Sequence, residues 1–395
     1  MKLSLCTIAK NEEAALPKCL GSVRNVVDEI IVLDTGSGDR TVEVAKQFGA
    51  KVYHYQWCND FSAARNEALK YVTGDWILVL DADETLTAEI VPQIKEVIES
   101  PEYLLINLVR HEVGAEQSPY SLVSRLFRNH PNICFSRPYH ALVDDSVSSI
   151  ILREPNWEVG YLQRVAILHT GYQQSAIAEQ NKYVKAQTAM EGFLATHPSD
   201  PYVCSKLGAL YVQVGKVSEG IELLQRGIAS KLTNDDILYE LHYHLGIAYS
   251  KNQDPQQAVF HYQIATKLHI HPLLKLGAYN NLGNLIKEKG DLRGAKTAYE
   301  ITLRIDPSFA IGHYNLGMTL KQEGLFAEAI ASYQQAIKLN PYYAEAYQNL
   351  GVVLLKLGQV PSSMTAFKNA IALHEKQNPD EALRLRSGLQ EMGFL

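Results

Sequence analysis

Trp76-Ile77-Leu78-Val79-Leu80-Asp81-Ala82-Asp83 is a run of five apolar residues that ends in two carboxylates. A short, unbroken apolar run reads as a strand buried on both faces, the habit of parallel sheets covered by helices. Leu3 to Ile8, Glu29 to Leu33 and Val52 to Tyr55 have the same character, and amphipathic stretches separate them at Glu12 to Val26, Thr41 to Phe48 and Phe61 to Tyr71. The order β-α-β-α-β-α-β predicts an α/β domain. Ligands in such sheets sit at the carboxyl ends of the strands, which is where Asp81 and Asp83 emerge. Beyond them, Leu104 to Arg110, Ser121 to Phe127, Ala141 to Leu152 and Val165 to His169 read as strands without long helices between them. They predict an antiparallel extension, and so a mixed central sheet.

From Pro201 the chain repeats itself. Leu316-Gly317 and Leu350-Gly351 lie 34 apart, as do Pro307 and Pro341, Ala295 and Ala329, Tyr299 and Tyr333, and the series Gly290, Gly324, Gly358. That period with these residue types predicts helix-turn-helix units of the tetratricopeptide (TPR) kind, stacked as an all-α solenoid. Leu-Gly pairs at Gly208, Gly246, Gly283, Gly317 and Gly351 count five repeats. The expected division is therefore 1–172 for the α/β domain, 173–200 for a joining helix or half repeat, 201–379 for the repeats and 380–395 for a capping helix.

A chain of 395 residues has room for two cores. With 37 Lys and Arg against 43 Asp and Glu, its formal net charge of -6 offers no general attraction to nucleic acid. The five cysteines are scattered without zinc-type or disulfide spacing, which reads as free thiols in a reducing compartment. No stretch is apolar for long enough to suggest a transmembrane segment, and the N-terminus does not read as a secretion signal. A cytoplasmic protein, able to dock peripherally at a membrane, is the expectation.

Two bare carboxylates at a strand end repel one another, and a divalent cation is a physical reason to place them there, since it would neutralise a diphosphate. At this point the residues resemble a family. Thr7-Ile8-Ala9-Lys10-Asn11-Glu12-Glu13, Val32-Leu33-Asp34-Thr35-Gly36-Ser37-Gly38-Asp39, Asp60-Phe61-Ser62-Ala63-Ala64-Arg65-Asn66, Gly74-Asp75 with the opening run through Glu84, and Arg125-Leu126-Phe127-Arg128-Asn129 together resemble family 2 glycosyltransferases of the A-type fold. The repeat half resembles the TPR extension of some bacterial members, peptide and protein glycosyltransferases among them.

The resemblance implies a nucleoside-diphosphate sugar as donor, with a UDP-sugar expected, and Mn²⁺ or Mg²⁺ as cofactor. It places Thr7, Asp34 and Arg65 around the base and ribose, Asp81 at the ribose and metal edge, and Asp83 on metal and diphosphate. Glu12 reads equally as a donor contact or as a charge favouring the first helix. His169 is either a third metal ligand or a structural histidine, and Arg125, with Arg128 and Arg137, is a candidate for phosphate oxygens.

Members commonly have His-Glu where this chain has His140-Ala141, so the catalytic base is open; Asp144 and His140 are the candidates, with Asp145 and Glu112 also in reach of the argument. Asn281, Asn315 and Asn349 recur on the helix that lines a concave TPR face, and can serve a peptide partner or be ordinary repeat residues. The function implied is metal-dependent, inverting transfer to a peptide or protein acceptor. A glycolipid or polysaccharide acceptor is the neighbouring alternative, and a scaffold with a degenerate transferase domain the more distant one.

Overall fold

The structure, a computed structural model, describes residues 1–115, 117–170, 176–230 and 234–394. The boundary expected at residue 172 lies outside them. Two compact units result, Met1–Leu232 and Thr233–Leu395.

The first unit is built on β1 (Leu3–Ala9), β2 (Glu29–Asp34), β3 (Lys51–His54), β4 (Trp76–Val79), β5 (Glu84–Leu86), β6 (Tyr103–Glu112), β7 (Tyr120–Arg128) and β8 (Glu158–His169). They form one mixed sheet in the order β3-β2-β1-β4-β7-β6-β8-β5. The first four strands are parallel to one another, while β7 runs antiparallel to β4 and β6. Helices α1 (Leu16–Val23), α2 (Thr41–Gln47), α3 (Phe61–Leu69), α4 (Val91–Val97) and α5 (Asp144–Arg153) belong to this layer architecture. Leu3, Leu5, Leu78 and Leu126 bury one face of the sheet against Leu16, Leu20 and Ile94; Cys6, Ile31, Ile77 and Phe127 bury the other against Ala64, Ala68, Val147 and Ile150. Burial on both faces is the reason these strands read as continuous apolar runs.

One expected strand is a helix. Most of Ala141 to Leu152 belongs to α5, Asp144–Arg153, because Val143 at its N-cap, Val147 and Ile150 are spaced i, i+4, i+7 and all three are buried. The first helix is also shorter than expected, since Pro17 fits its first turn and fixes the start at Leu16. The short edge strand β5 has no counterpart among the expected elements.

The first unit continues through α6 (Ala176–Thr196), α7 (Pro201–Gln213) and α8 (Val217–Ala229). The second unit holds α9 (Asp235–Lys251), α10 (Pro255–Lys267), α11 (Leu276–Glu288), α12 (Leu292–Ile305), α13 (Ala310–Gln322), α14 (Phe326–Leu339), α15 (Ala344–Lys356), α16 (Val360–Gln377) and α17 (Pro379–Glu391). The repeat glycine is required by contact. A Cβ on Gly317 would stand 2.7 Å from the Tyr333 ring, and the same aromatic pressing recurs at Gly246, Gly283 and Gly351. The turn that follows α13 needs Gly324, whose φ is +79°.

At the end of the sheet away from the strand tips, Glu29 ties four segments. It accepts from Ser4 Oγ (2.8 Å), Lys51 Nζ (2.8 Å), Thr73 N (2.9 Å) and Thr73 Oγ1 (3.0 Å). Burial alone would raise its pKa, but these bonds outweigh it and lower the value to about 2. The unfolded value is about 4.3. A depressed carboxylate stabilises above the unfolded pKa, and that contribution is lost as pH falls through the folded one. Glu29→Gln should therefore cost about 1–2 kcal/mol at neutral pH. In urea unfolding the gap to the wild type should narrow from about pH 5 downward.

Candidate functional site

The parallel register sets the strand tips side by side. Ala9 pairs with Asp34 and Asp34 with His54. Asp34 is nearly buried and accepts from Ser37 N (3.1 Å), Gly36 N (3.3 Å) and His54 Nδ1 (3.2 Å). Burial would push its pKa up, yet the hydrogen bonds from Ser37, His54 and Gly36 hold it below the usual carboxylate range. It is thus both a turn residue and a wall of a cleft of about 490 Å³, together with Lys10, Gly36, His54, Tyr55 and Trp57. Asn11, with φ at +56°, laces the neighbouring loops by accepting from Gly38 N (2.8 Å) and donating its own N–H to Ser37 Oγ (3.0 Å).

Asp81 is held by two arginines. Arg65 Nη2 lies 2.6 Å from Oδ1 and Arg125 Nη2 2.9 Å from Oδ2, both side chains being almost wholly buried. Burial would raise the Asp81 pKa; Arg125, Arg65 and Arg110 overcome it and keep the carboxylate well below its ordinary range. Arg65 comes from the inner face of α3, not the solvated face that a helical arginine usually takes, with its guanidinium 5.3 Å from the centre of the Phe135 ring. Arg125 is the extra residue of a β-bulge: Ile106 pairs with Leu126 and Asn107 with Ser124, leaving Arg125 unopposed and free to turn toward Asp81. Thr7 Oγ1, Arg65 Nε and Nη1, and Arg125 Nη1 are buried without hydrogen-bond partners among the described residues. Groups of that kind ask for a ligand oxygen or a water.

Arg125, Arg128 and Arg137 do not form one basic cluster. Arg128 stacks over Trp76 and Trp157 and donates to the carbonyls of Tyr103 and Ser100, while Arg137 pairs with Asp145 and Asp200. The three-residue step along a strand puts Arg125 and Arg128 on opposite faces.

Asp83 meets His169 through strand pairing, since Glu84 on β5 lies opposite His169 on β8, and Glu112 on β6 is also in register with it. His169 Nε2 is 3.1 Å from Asp83 Oδ2, and Nδ1 is 2.5 Å from Glu112 Oε2. Burial would lower the histidine pKa, but its bonds to Asp83 and Glu112 raise it to about 10. Asp83 and His169 form an oxygen and nitrogen donor pair, and Glu112 orients the far ring nitrogen as outer-shell carboxylates do for metal-bound histidines. These two residues fit a divalent cation. Among the described residues no group of three His, Cys, Asp or Glu side chains forms a metal cage, and Asp81 is turned to its arginines. Glu12 stands in the loop between β1 and α1, where burial and then Asp83, Asp39 and Asp81 raise its pKa to about 7.

Residues 4–160 match the family model described as Glycosyl transferase family 2, and residues 317–358 and 344–376 match TPR repeat models. A TPR repeat-containing protein of Synechococcus elongatus is 43% identical over 291 residues, 74% of this chain and 72% of that one. The chain belongs to the TPR-bearing family 2 glycosyltransferases. The prophage-derived glycosyltransferase SunS of Bacillus subtilis is 29% identical over 225 residues, 56% of this chain and 52% of SunS. An uncharacterized glycosyltransferase of Rickettsia felis is 33% identical over 155 residues, 37% of this chain and 54% of that protein. The chain thus spans about half the length of these last two.

In this glycosyltransferase two site residues, Glu84 and Arg110, are not among those the sequence pattern picks out. Glu84 is fully buried, accepts Asp81 N (2.9 Å) and pairs with Arg110 Nη1 (2.9 Å), whose Nη2 reaches Glu112 (2.7 Å). An arginine inside the apolar strand Leu104 to Arg110 was the available signal. The two candidate bases sit apart in character. Asp144 accepts from Ser124 Oγ (2.9 Å), has Oδ2 shielded from solvent, and is raised in pKa by burial; His140 is exposed, at φ +53°.

His140 belongs to a loop closed by the Ser136 and Leu142 bridge. Arg137, buried at φ +74°, ties this loop to Asp145 and to Asp200, which caps α7 through Val203 N (2.8 Å). Asn281, Asn315 and Asn349 give amide hydrogens to Tyr262, Asn280 and Tyr314, at 3.2, 2.9 and 3.2 Å, and Asn315 is buried. Asp200→Ala should lower kcat about tenfold or more while leaving donor affinity unchanged, because it frees the loop and not the cleft. Donor hydrolysis and donor titration of the same variant check both halves of that expectation.

Proposed function

We propose that this glycosyltransferase is metal-dependent and inverting, and that it moves a sugar from a nucleoside-diphosphate donor, a UDP-sugar foremost, to a peptide or protein acceptor recruited by the repeats. The observation that carries the reading is the Asp83 and His169 pair, flanked by Asp81 on its two arginines. Residues 1–172 are taken as the catalytic part, 173–200 as the joining helix, 201–379 as five repeats and 380–395 as the cap. No helix among the described residues is long and apolar enough to cross a membrane, and we place the enzyme in the cytoplasm, with peripheral contact at a membrane allowed.

Asp34, His54 and Trp57 would hold the nucleoside in the cleft, with Thr7 and Arg65 behind it and Arg125 toward the phosphates. Asp83 and His169 would hold Mn²⁺ or Mg²⁺, which supplies positive charge to the diphosphate as it leaves. Glu12, which feels the charges of Asp83, Asp39 and Asp81, would add a donor contact on the acidic side. The acceptor heteroatom attacks the anomeric carbon from the face opposite the diphosphate. One carbon–heteroatom bond forms, the bond to the diphosphate oxygen breaks with its electron pair, and the acceptor proton passes to a base. Asp144 is that base in this reading, since a carboxyl with a burial-raised pKa is better matched to take a proton near neutrality, and His140 is the alternative.

Wild-type protein should gain thermal stability from UDP-sugars only when Mn²⁺ or Mg²⁺ is present. At ligand near 100 times Kd that gain amounts to about 2.7 kcal/mol. Asp83→Ala and His169→Ala should lose the metal-dependent part, and Asp83→Ala should abolish donor hydrolysis. A panel of nucleotide sugars that stabilises the protein equally with and without metal would overturn the metal assignment.

A further inference from the structure

Each nitrogen of the Arg110 guanidinium has a partner: Nε donates to Ser121 Oγ (3.2 Å), Nη1 to Glu84 Oε1 (2.9 Å) and Nη2 to Glu112 Oε1 (2.7 Å). On β6 the arginine stands two residues before Glu112, so both side chains leave the strand on one face. It lies opposite Ile167 of β8, and it crosses that strand to reach Glu84 on β5. Each carboxylate gives one oxygen to Arg110 and the other to a segment that carries a candidate metal donor. Glu84 Oε2 accepts Asp81 N (2.9 Å), and Glu84 N donates back to Asp81 O (3.0 Å), which closes the turn holding Asp83. Glu112 Oε2 bonds Nδ1 of His169 (2.5 Å), whose Nε2 faces Asp83 Oδ2 (3.1 Å).

We propose that Arg110 is a positioning residue for the divalent cation, and that through its two carboxylates it fixes the Asp83 turn and the His169 ring relative to one another before the ion arrives. The inference rests on the reading that Asp83 and His169 hold the ion. As a cation Arg110 is no ligand itself; it acts through Glu84 and Glu112. The two donors come from different segments, the turn after β4 and the end of β8, and ordering them at the moment of binding would be subtracted from metal affinity. A salt bridge that only pinned the edge strand β5 to the sheet would need Glu84 alone. That account leaves out the branch to Glu112 and the second oxygen of each carboxylate. Glu84 is fully buried, so without its counter-charge it would turn away or take up a proton and release the Asp81 N–H. The fork matters as well as the charge, because a lysine ammonium on a flexible stem does not reproduce two planar, parallel N–H groups.

The test measures UDP binding to the full-length protein across a range of Mn²⁺ concentrations, and again with EDTA present. Arg110→Lys should raise the Mn²⁺ concentration at half-effect about tenfold or more and leave the metal-free affinity for UDP unchanged. Glu112→Gln should shift the half-effect in the same direction, and the two changes together should shift it by less than the product of the single shifts, because both break one fork. If Arg110→Lys melts too early to titrate, the charge-balanced pair Arg110→Gln, Glu84→Gln leaves no unpaired charge at Glu84 and should show the same shift. A merely structural arginine would lower the melt of the metal-free protein and leave the half-effect concentration of Mn²⁺ where it was, and that result overturns the proposal. Wild-type protein whose UDP binding ignores Mn²⁺ removes the metal reading itself. A wild type that responds to Mn²⁺, with variants responding at the same concentration, removes the role of Arg110 alone.

Discussion

Burial works against the charge on Asp81 just beyond the tip of a buried strand, and Arg65 and Arg125 bring the opposite charge that keeps it ionised. The consequences spread through the first unit. Arg65 must face inward from α3, so that helix is packed by Ala64 and Ala68 on the same side. Arg125 must leave the ladder, so β7 carries a bulge. The Asp81 backbone is fixed from behind by Glu84, and from there charge alternates through Arg110, Glu112 and His169 to Asp83. The Asp81 backbone and the Asp83 carboxylate are therefore linked by one hydrogen bond and a run of ion pairs, while the Asp81 carboxylate itself faces Arg65 and Arg125.

The parallel strands and the repeats were legible because each rests on a local rule. Trp76 to Leu80 is apolar since both faces are covered, and Gly317 is glycine because Tyr333 lies on it. The placement of Asp34, Asp81 and Asp83 at or just beyond strand ends was legible for a related reason, since a parallel strand delivers the residues at its carboxyl end to an open crevice. The features that escaped are set by distant partners. Ala141 to Leu152 has enough valine and isoleucine to pass for a strand, and only the placement of Val143, Val147 and Ile150 on one helical face decides otherwise. Glu84 and Arg110 were invisible as a pair because they are 26 residues apart and meet only when the sheet assembles.

The acidic turn told less about which partner each carboxylate would choose. Spacing treats Asp81 and Asp83 alike, but the turn between β4 and β5 sends one toward the arginines and the other toward β8. In the repeats the asparagines drew attention by their period, yet their amides bond to neighbouring side chains.

Asp200 is at once the cap of the first repeat helix and a counter-ion for Arg137 in the loop beside Asp144. Gene fusion that joins a transferase to a repeat array commonly keeps the two exchangeable, like a head and an interchangeable handle. Here the join has been stitched across. A recombination event that replaced the array just after the sheet would strip the loop of its anchor, whereas one at the Leu232 and Thr233 division would carry α7 and α8 along with the enzyme. New repeat arrays should therefore be inherited behind an unchanged first pair of helices.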